Sequence, residues 1–169
     1  MMSLERFIDL SKSIYEDTNA RQPPDDGILA ESHQVVPPAI VRGTRGYLEK
    51  ITNQINGCYE NGWFDATAVL MRRLLETLII ESFEHHQVAD KIKNSNGDFK
   101  FLRDLISATL RETCWTLSRN TRSTLPGLKD LGDKSAHSRR YVAHRQDIDG
   151  LKTEFRGVVQ ELVFLSGLK

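Results

Sequence analysis

Residues 66–86, ATAVLMRRLLETLIIESFEHH, leave few folds open to this chain. On a helical wheel Val69, Arg72, Arg73, Glu76, Ile80 and Phe83 fall on one side, while Leu70, Met71, Leu74, Leu75, Leu78 and Ile79 occupy most of the rest. A helix that is apolar nearly all round must be covered by neighbours, so this one reads as the central member of a bundle. Asp65 stands just ahead of the run with a side-chain acceptor for the first free amides, the chemistry of a helix cap.

The rest of the chain supplies partners for that rod. Ile40, Tyr47, Leu48, Ile51, Ile55, Cys58 and Tyr59 recur at helical spacing and predict a long helix ending near Asn61-Gly62, weakened early by Gly43 and Gly46. After a polar turn over 91–98, Phe101, Leu102, Leu105, Ile106 and Leu110 resume the period. Pro126-Gly127 interrupts 117–131, which reads as two short pieces or as a helix starting near Pro126. Ile148, Leu151, Phe155, Val158, Val159, Leu162 and Val163 give the inner stripe of a last helix, capped by Asp147 or Asp149. No stretch alternates as a strand would over comparable length, so the fold class is all-α.

Ahead of this domain, Leu4, Phe7, Ile8, Ser11, Ile14 and Tyr15 trace one side of a short amphipathic helix, followed by an irregular arm with two proline pairs. The expected organisation is therefore an N-terminal helix and Pro-rich arm over 1–37, and a helical bundle over 38–169 that opens with Pro38 in its first turn. Glu5, Arg6 and Asp9 occupy the place of a signal peptide's apolar core, and no apolar run approaches membrane-spanning length. A cytoplasmic protein without membrane contact is expected. Cys58 and Cys114 stand far apart and form no CxxC pair; both are expected reduced and partly buried.

The 23 basic and 23 acidic residues cancel, so no net charge draws the molecule to nucleic acid or to an anionic membrane. Any such role needs a local patch. One lies between residues 119 and 145, where Arg119, Arg122, Lys129, Lys134, Arg139, Arg140 and Arg145 face only Asp130 and Asp133. The same pattern also suits a solvated helix end. Gly127 and Gly132 have the gap of a phosphate loop, but Asp133 stands where its lysine should be and no strand precedes it, which excludes a nucleoside-triphosphate site. Gly132 reads instead as a left-handed cap on a helix ending at Leu131.

Charge on the central rod has two readings. Arg72, Arg73 and Glu76 lie three or four apart and can pair among themselves, as a structural ion pair at the edge of the core or at a dimer seam. They can also line a polar cleft in which an arginine holds phosphate and Glu76 orients it or a histidine from around His137. Glu81 and His85 lack a third ligand, so no metal is expected, and nothing in the chain calls for a cofactor. Trp63 and Trp115 read as core or interface aromatics.

Two stretches, GWFDATAVLMRRLLETLIIESF (62–83) and LKDLGDKSAHSRRYVAHRQDID (128–149), together resemble the HEPN superfamily, in the bacterial branch that pairs an RxLLE-like helix with a later G[ND]xxAH segment. The resemblance implies a bundle of about five helices, frequently a homodimer. In nuclease members an arginine and a histidine with four to six residues between them cut RNA without metal. Here Arg139 and His144 have that spacing, and His137 occupies the AH position.

The implied site comprises His137, Arg139, His144, Arg73 and Glu76 as catalytic groups, with Arg72, Arg140 and Lys134 on phosphate. Histidine would move the proton and arginine would offset charge on the phosphate. The expected function is RNA-phosphate binding or metal-independent endoribonuclease action in bacterial stress or defence. The alternative is a non-catalytic module for dimerisation or for docking a larger protein partner.

Overall fold

In the computed structural model, residues 34–169 are described; 1–33, with the expected Leu4–Tyr15 helix and most of the arm, lie outside the described residues. Seven α-helices follow in order: α1 Pro38–Val41, α2 Gly46–Glu60, α3 Phe64–His85, α4 Leu102–Arg111, α5 Arg119–His137, α6 Arg145–Asp149 and α7 Lys152–Leu165. A 3-10 turn, Ala89–Ile92, sits between α3 and α4. The five long helices make an all-α bundle, α1 and α6 being single turns.

The central rod is α3. Leu74, Leu75, Leu78, Ile79 and Phe83 are fully buried in it, and the core continues into Leu48 and Ile55 of α2, Leu102 and Leu105 of α4, Leu125 of α5 and Phe155, Val158 and Val159 of α7. Full burial of such a side chain contributes about 1.5–3 kcal/mol, so this cluster dominates the fold's stability. Trp115 is buried edge-on to Phe83 at 4.9 Å between ring centres, whereas Trp63 is half exposed.

The single long helix expected from Ile40 onward is broken. Gly43 adopts φ +78°, a conformation that turns the chain between α1 and α2 and is strained for any residue with a Cβ. Gly62 (φ +76°) turns it again after α2, where expected. Asp65 does not cap α3: Trp63 holds that position without a side-chain bond, and Asp65 Oδ1 accepts the Ala143 amide at 3.0 Å. Phe101 is not on the inner stripe of α4 but precedes it, 81% exposed.

The largest correction concerns α5. It runs unbroken through Pro126, from Ser118, whose Oγ accepts the Thr121 amide at 3.2 Å, to His137. Pro126 and Arg122 are both exposed, so the Arg122 carbonyl that loses its helical partner to the proline lies on a face open to solvent. Gly132 is no left-handed cap. It is buried inside the helix, and a Cβ there would come within 2.7 Å of the Arg72 Cβ. Close approach of two helices, not a turn, requires glycine at 132.

That contact also sets direction. Gly132 lies beside Arg72, while Trp115, just before α5, lies against Phe83 and His86 near the end of α3. The two helices are antiparallel. At the domain's start, Asn56 of α2 accepts the Val35 and Val36 amides through Oδ1 (2.8 and 3.0 Å) and donates to the Val36 carbonyl (2.8 Å). Val35 and Val36 are thus packed in the core ahead of Pro38.

Candidate functional site

The charged stripe on α3 divides in two. Arg72 is partly buried, and its Nε donates to Asp133 Oδ1 at 3.0 Å while its guanidinium stands 3.7 Å from Glu76 Oε2. Lys129, one turn earlier on α5, reaches the other oxygen of Asp133 at 2.8 Å. Burial opposes ionisation of Asp133, but the hydrogen bonds and charge of Lys129, then of Arg72, outweigh it and hold the carboxyl below its usual range. The expected internal pair is therefore Arg72 with Glu76, and its main partner is on another helix. Arg73 is exposed and makes no ion pair among the described residues.

The histidine segment sits further along. His137 is the last residue of α5 and exposed; Arg139 and Arg140 follow in an exposed bend. Lys134, Arg139 and Arg140 have no carboxylate within ion-pair distance among the described residues. No hydrogen bond joins His137 to Arg73 or Glu76. Counting from Gly132 beside Arg72, His137 lies five residues toward the start of α3 and Glu76 four toward its end, about 13 Å apart along the axis. Arg72, Glu76, Asp133 and Lys129 thus form one group, and Lys134, His137, Arg139 and Arg140 another.

His144 belongs to neither group. It precedes α6, and its amide donates to Asp147 Oδ2 at 2.8 Å, so Asp147 caps α6 and not the last long helix. The His144 amide and the Tyr141 hydroxyl hold Asp147 below the usual carboxylate range, and burial with Asp147 beside it pushes Tyr141 up to about 12. Together with the bond from Ala143 to Asp65, this fixes the 138–144 connector to the start of α3.

A cation and aromatic cluster beside it escaped the sequence reading. Arg145 stacks 4.7 Å over the Tyr59 ring and 5.5 Å over Phe64, and donates to the Tyr59 hydroxyl at 3.1 Å. Lys152 also lies over the Tyr59 ring, 4.6 Å from its centre, and the Tyr59 hydroxyl donates to Asp149. Asp149 thereby tethers α2 instead of capping α7. The residues come from four separate segments, so no spacing rule could have grouped them.

Cys58 is half-buried and Cys114 is exposed, contrary to the expectation of partial burial for both. Glu81 accepts from Tyr47 and stands 3.8 Å from Arg45. Among the described residues, no three His, Cys, Asp or Glu side chains gather as a metal site, and no helix is long and apolar enough to cross a membrane. Compared with family models, with curated proteins and with solved structures, the chain matches none.

Proposed function

We propose that the protein is an HEPN-like module that binds RNA phosphates at the basic end of α5. One observation carries this reading: Lys134, His137, Arg139 and Arg140 are all exposed within seven residues, and among the described residues the three permanent cations make no ion pair. Such groups remain available to phosphate oxygens, and a local patch suffices even in a neutral molecule. Arg72 is left out of this reading because its Nε already donates to Asp133 and Glu76 stands 3.7 Å from the same guanidinium.

Cleavage belongs to the same reading. His137, exposed, would take the proton from a ribose 2′-hydroxyl as its oxygen bonds to phosphorus, and Arg139 would face the phosphate charge while the 5′-oxygen leaves. Support for this step is the HEPN resemblance, with His137 at its AH position. The test is binding and turnover of a single-stranded RNA in EDTA. Arg139→Ala/Arg140→Ala should weaken binding about tenfold or more and flatten its salt dependence by roughly two charges. His137→Ala should abolish cutting with helicity intact. Binding that ignores the arginine pair removes the proposal.

A second reading has its own observation. Trp63, 50% exposed, caps the start of α3, and Val142, 60% exposed, adjoins the Ala143 that Asp65 holds to that same end. Two uncovered apolar side chains at one end of the bundle suit a homodimer or a protein partner. Light scattering after Trp63→Ser/Val142→Ser distinguishes it: a dimer should fall to monomer.

A further inference from the structure

The indole of Trp63 serves neither packing nor capping. It is 50% exposed and makes no hydrogen bond or ring contact among the described residues, whereas Trp115 is packed against Phe83 and His86. Trp63 also holds the cap position of α3, where a short side-chain oxygen would satisfy a free amide, and it supplies no such bond. Helix chemistry alone therefore does not call for a large aromatic at this place.

The fold brings cations to it that the sequence keeps far away. Asp65, two residues on, binds the Ala143 amide at 3.0 Å, and the Arg145 guanidinium lies 5.5 Å over the Phe64 ring. Residues 143 and 145 thus lie against the opening turn of α3. Arg140 stands three residues before Ala143, at most about 11 Å of extended chain, and Arg139 one residue further. Arg145 is exposed and held by the Tyr59 ring and hydroxyl; like Arg139 and Arg140, it makes no ion pair among the described residues. An aromatic face and three arginines are thereby gathered at one end of the bundle from segments 78 residues apart.

That mixture favours one kind of occupant. The centre of a protein interface is depleted of charge, whereas a single nucleic-acid strand offers phosphates to arginines and the π face of an unpaired base to an indole. In a double helix the bases stack on one another, and that face is not presented. A phosphate on Arg139 or Arg140 and a base on Trp63 can belong to one short strand.

We propose that Trp63 is the platform on which an unpaired base stacks while neighbouring phosphates lie on Arg139, Arg140 and Arg145, so that the ligand is single-stranded RNA. This inference rests on the RNA-phosphate reading above and takes Trp63 from the dimer reading.

The full chain is titrated with oligoadenylate RNA, with an RNA duplex of the same phosphate count, and with inorganic polyphosphate, which has charge but no bases. Trp63→Ala should weaken oligoadenylate binding about tenfold and leave the other two within about twofold, and Trp63→Phe should restore most of the loss. The Trp63 emission, taken as parent minus Trp63→Phe, should be open to acrylamide in the free protein and shielded once oligoadenylate saturates it. Arg139→Ala/Arg140→Ala should weaken all three ligands; if it weakens none, the phosphate reading fails and this inference with it. If the arginine pair matters but Trp63→Ala affects oligoadenylate and polyphosphate alike, stacking alone is overturned. An indole already shielded before RNA is added overturns it too. So does a dimer that dissociates in Trp63→Ala with oligoadenylate affinity kept, since a second copy then covers the indole.

Discussion

Arg72 Nε and Asp133 Oδ1 meet at 3.0 Å across the α3–α5 contact, and they do so because residue 132 has no side chain. Gly132→Ala should therefore destabilise by about 1–3 kcal/mol through overpacking, although alanine is the better helix former. Gly127→Ala, five residues earlier in the same helix with open space around it, should stabilise by roughly 0.5–1 kcal/mol. Urea denaturation of the two variants gives opposite signs, or the close-approach account of Gly132 fails.

Adjacent arginines should behave differently. Arg72→Ala leaves Asp133 with only Lys129 and should cost on the order of 1–2 kcal/mol, with little direct effect on phosphate binding. Arg73→Ala, on an exposed side chain without an ion pair among the described residues, should leave stability within about 0.5 kcal/mol of the parent. Thermal melts of both proteins check the contrast.

Asn56 should prove costly to remove. Asn56→Ala strands two amides and one carbonyl of the Val35-Val36 segment inside the core, and about 2–4 kcal/mol should be lost. Protease cutting ahead of Pro37 should rise in parallel, because that clasp holds the segment down.

Acid should reveal Glu112. Lys91 donates to both of its oxygens at 2.9–3.0 Å, and this pairing, with the Thr113 and Cys114 amides, outweighs burial and holds the carboxyl down at about 2 from an ordinary 4.5. Since the folded value is the lower one, its stabilisation is complete above 4.5 and is lost as pH falls toward 2. Glu112→Gln should flatten the stability profile in that window while leaving its slope near neutrality unchanged; an identical acid limb would contradict the assignment.

The all-α class was legible because apolar spacing reports burial directly, and α3 and α7 carry long, unambiguous stripes. Local chemistry was ambiguous wherever one residue type serves two purposes. Asp65 has the chemistry of a cap and uses it on an amide 78 residues away; Gly132 could end a helix or admit a neighbour, and only the neighbour's position decides. Pro126 obeys the local rule for a break, yet packing of Leu125, Leu128 and Leu131 carries the helix through it. In the candidate site, the four-residue spacing of Arg72 and Glu76 was legible, while Lys129 and Asp133 were read only as members of a charged stretch. Their link to Arg72 was not legible, since it depends on how α5 lies against α3.

Lys169 rests on Ala39, and Arg156 holds the backbone at Gln34 and Val35, so residue 169 lies against the opening turn of the bundle. The described part is thus nearly a closed ring in space. A circular permutant that joins 169 to 34 through a short glycine-serine bridge, and opens at the exposed Asn94–Gly97 turn, would reorder the chain with little rearrangement of the bundle.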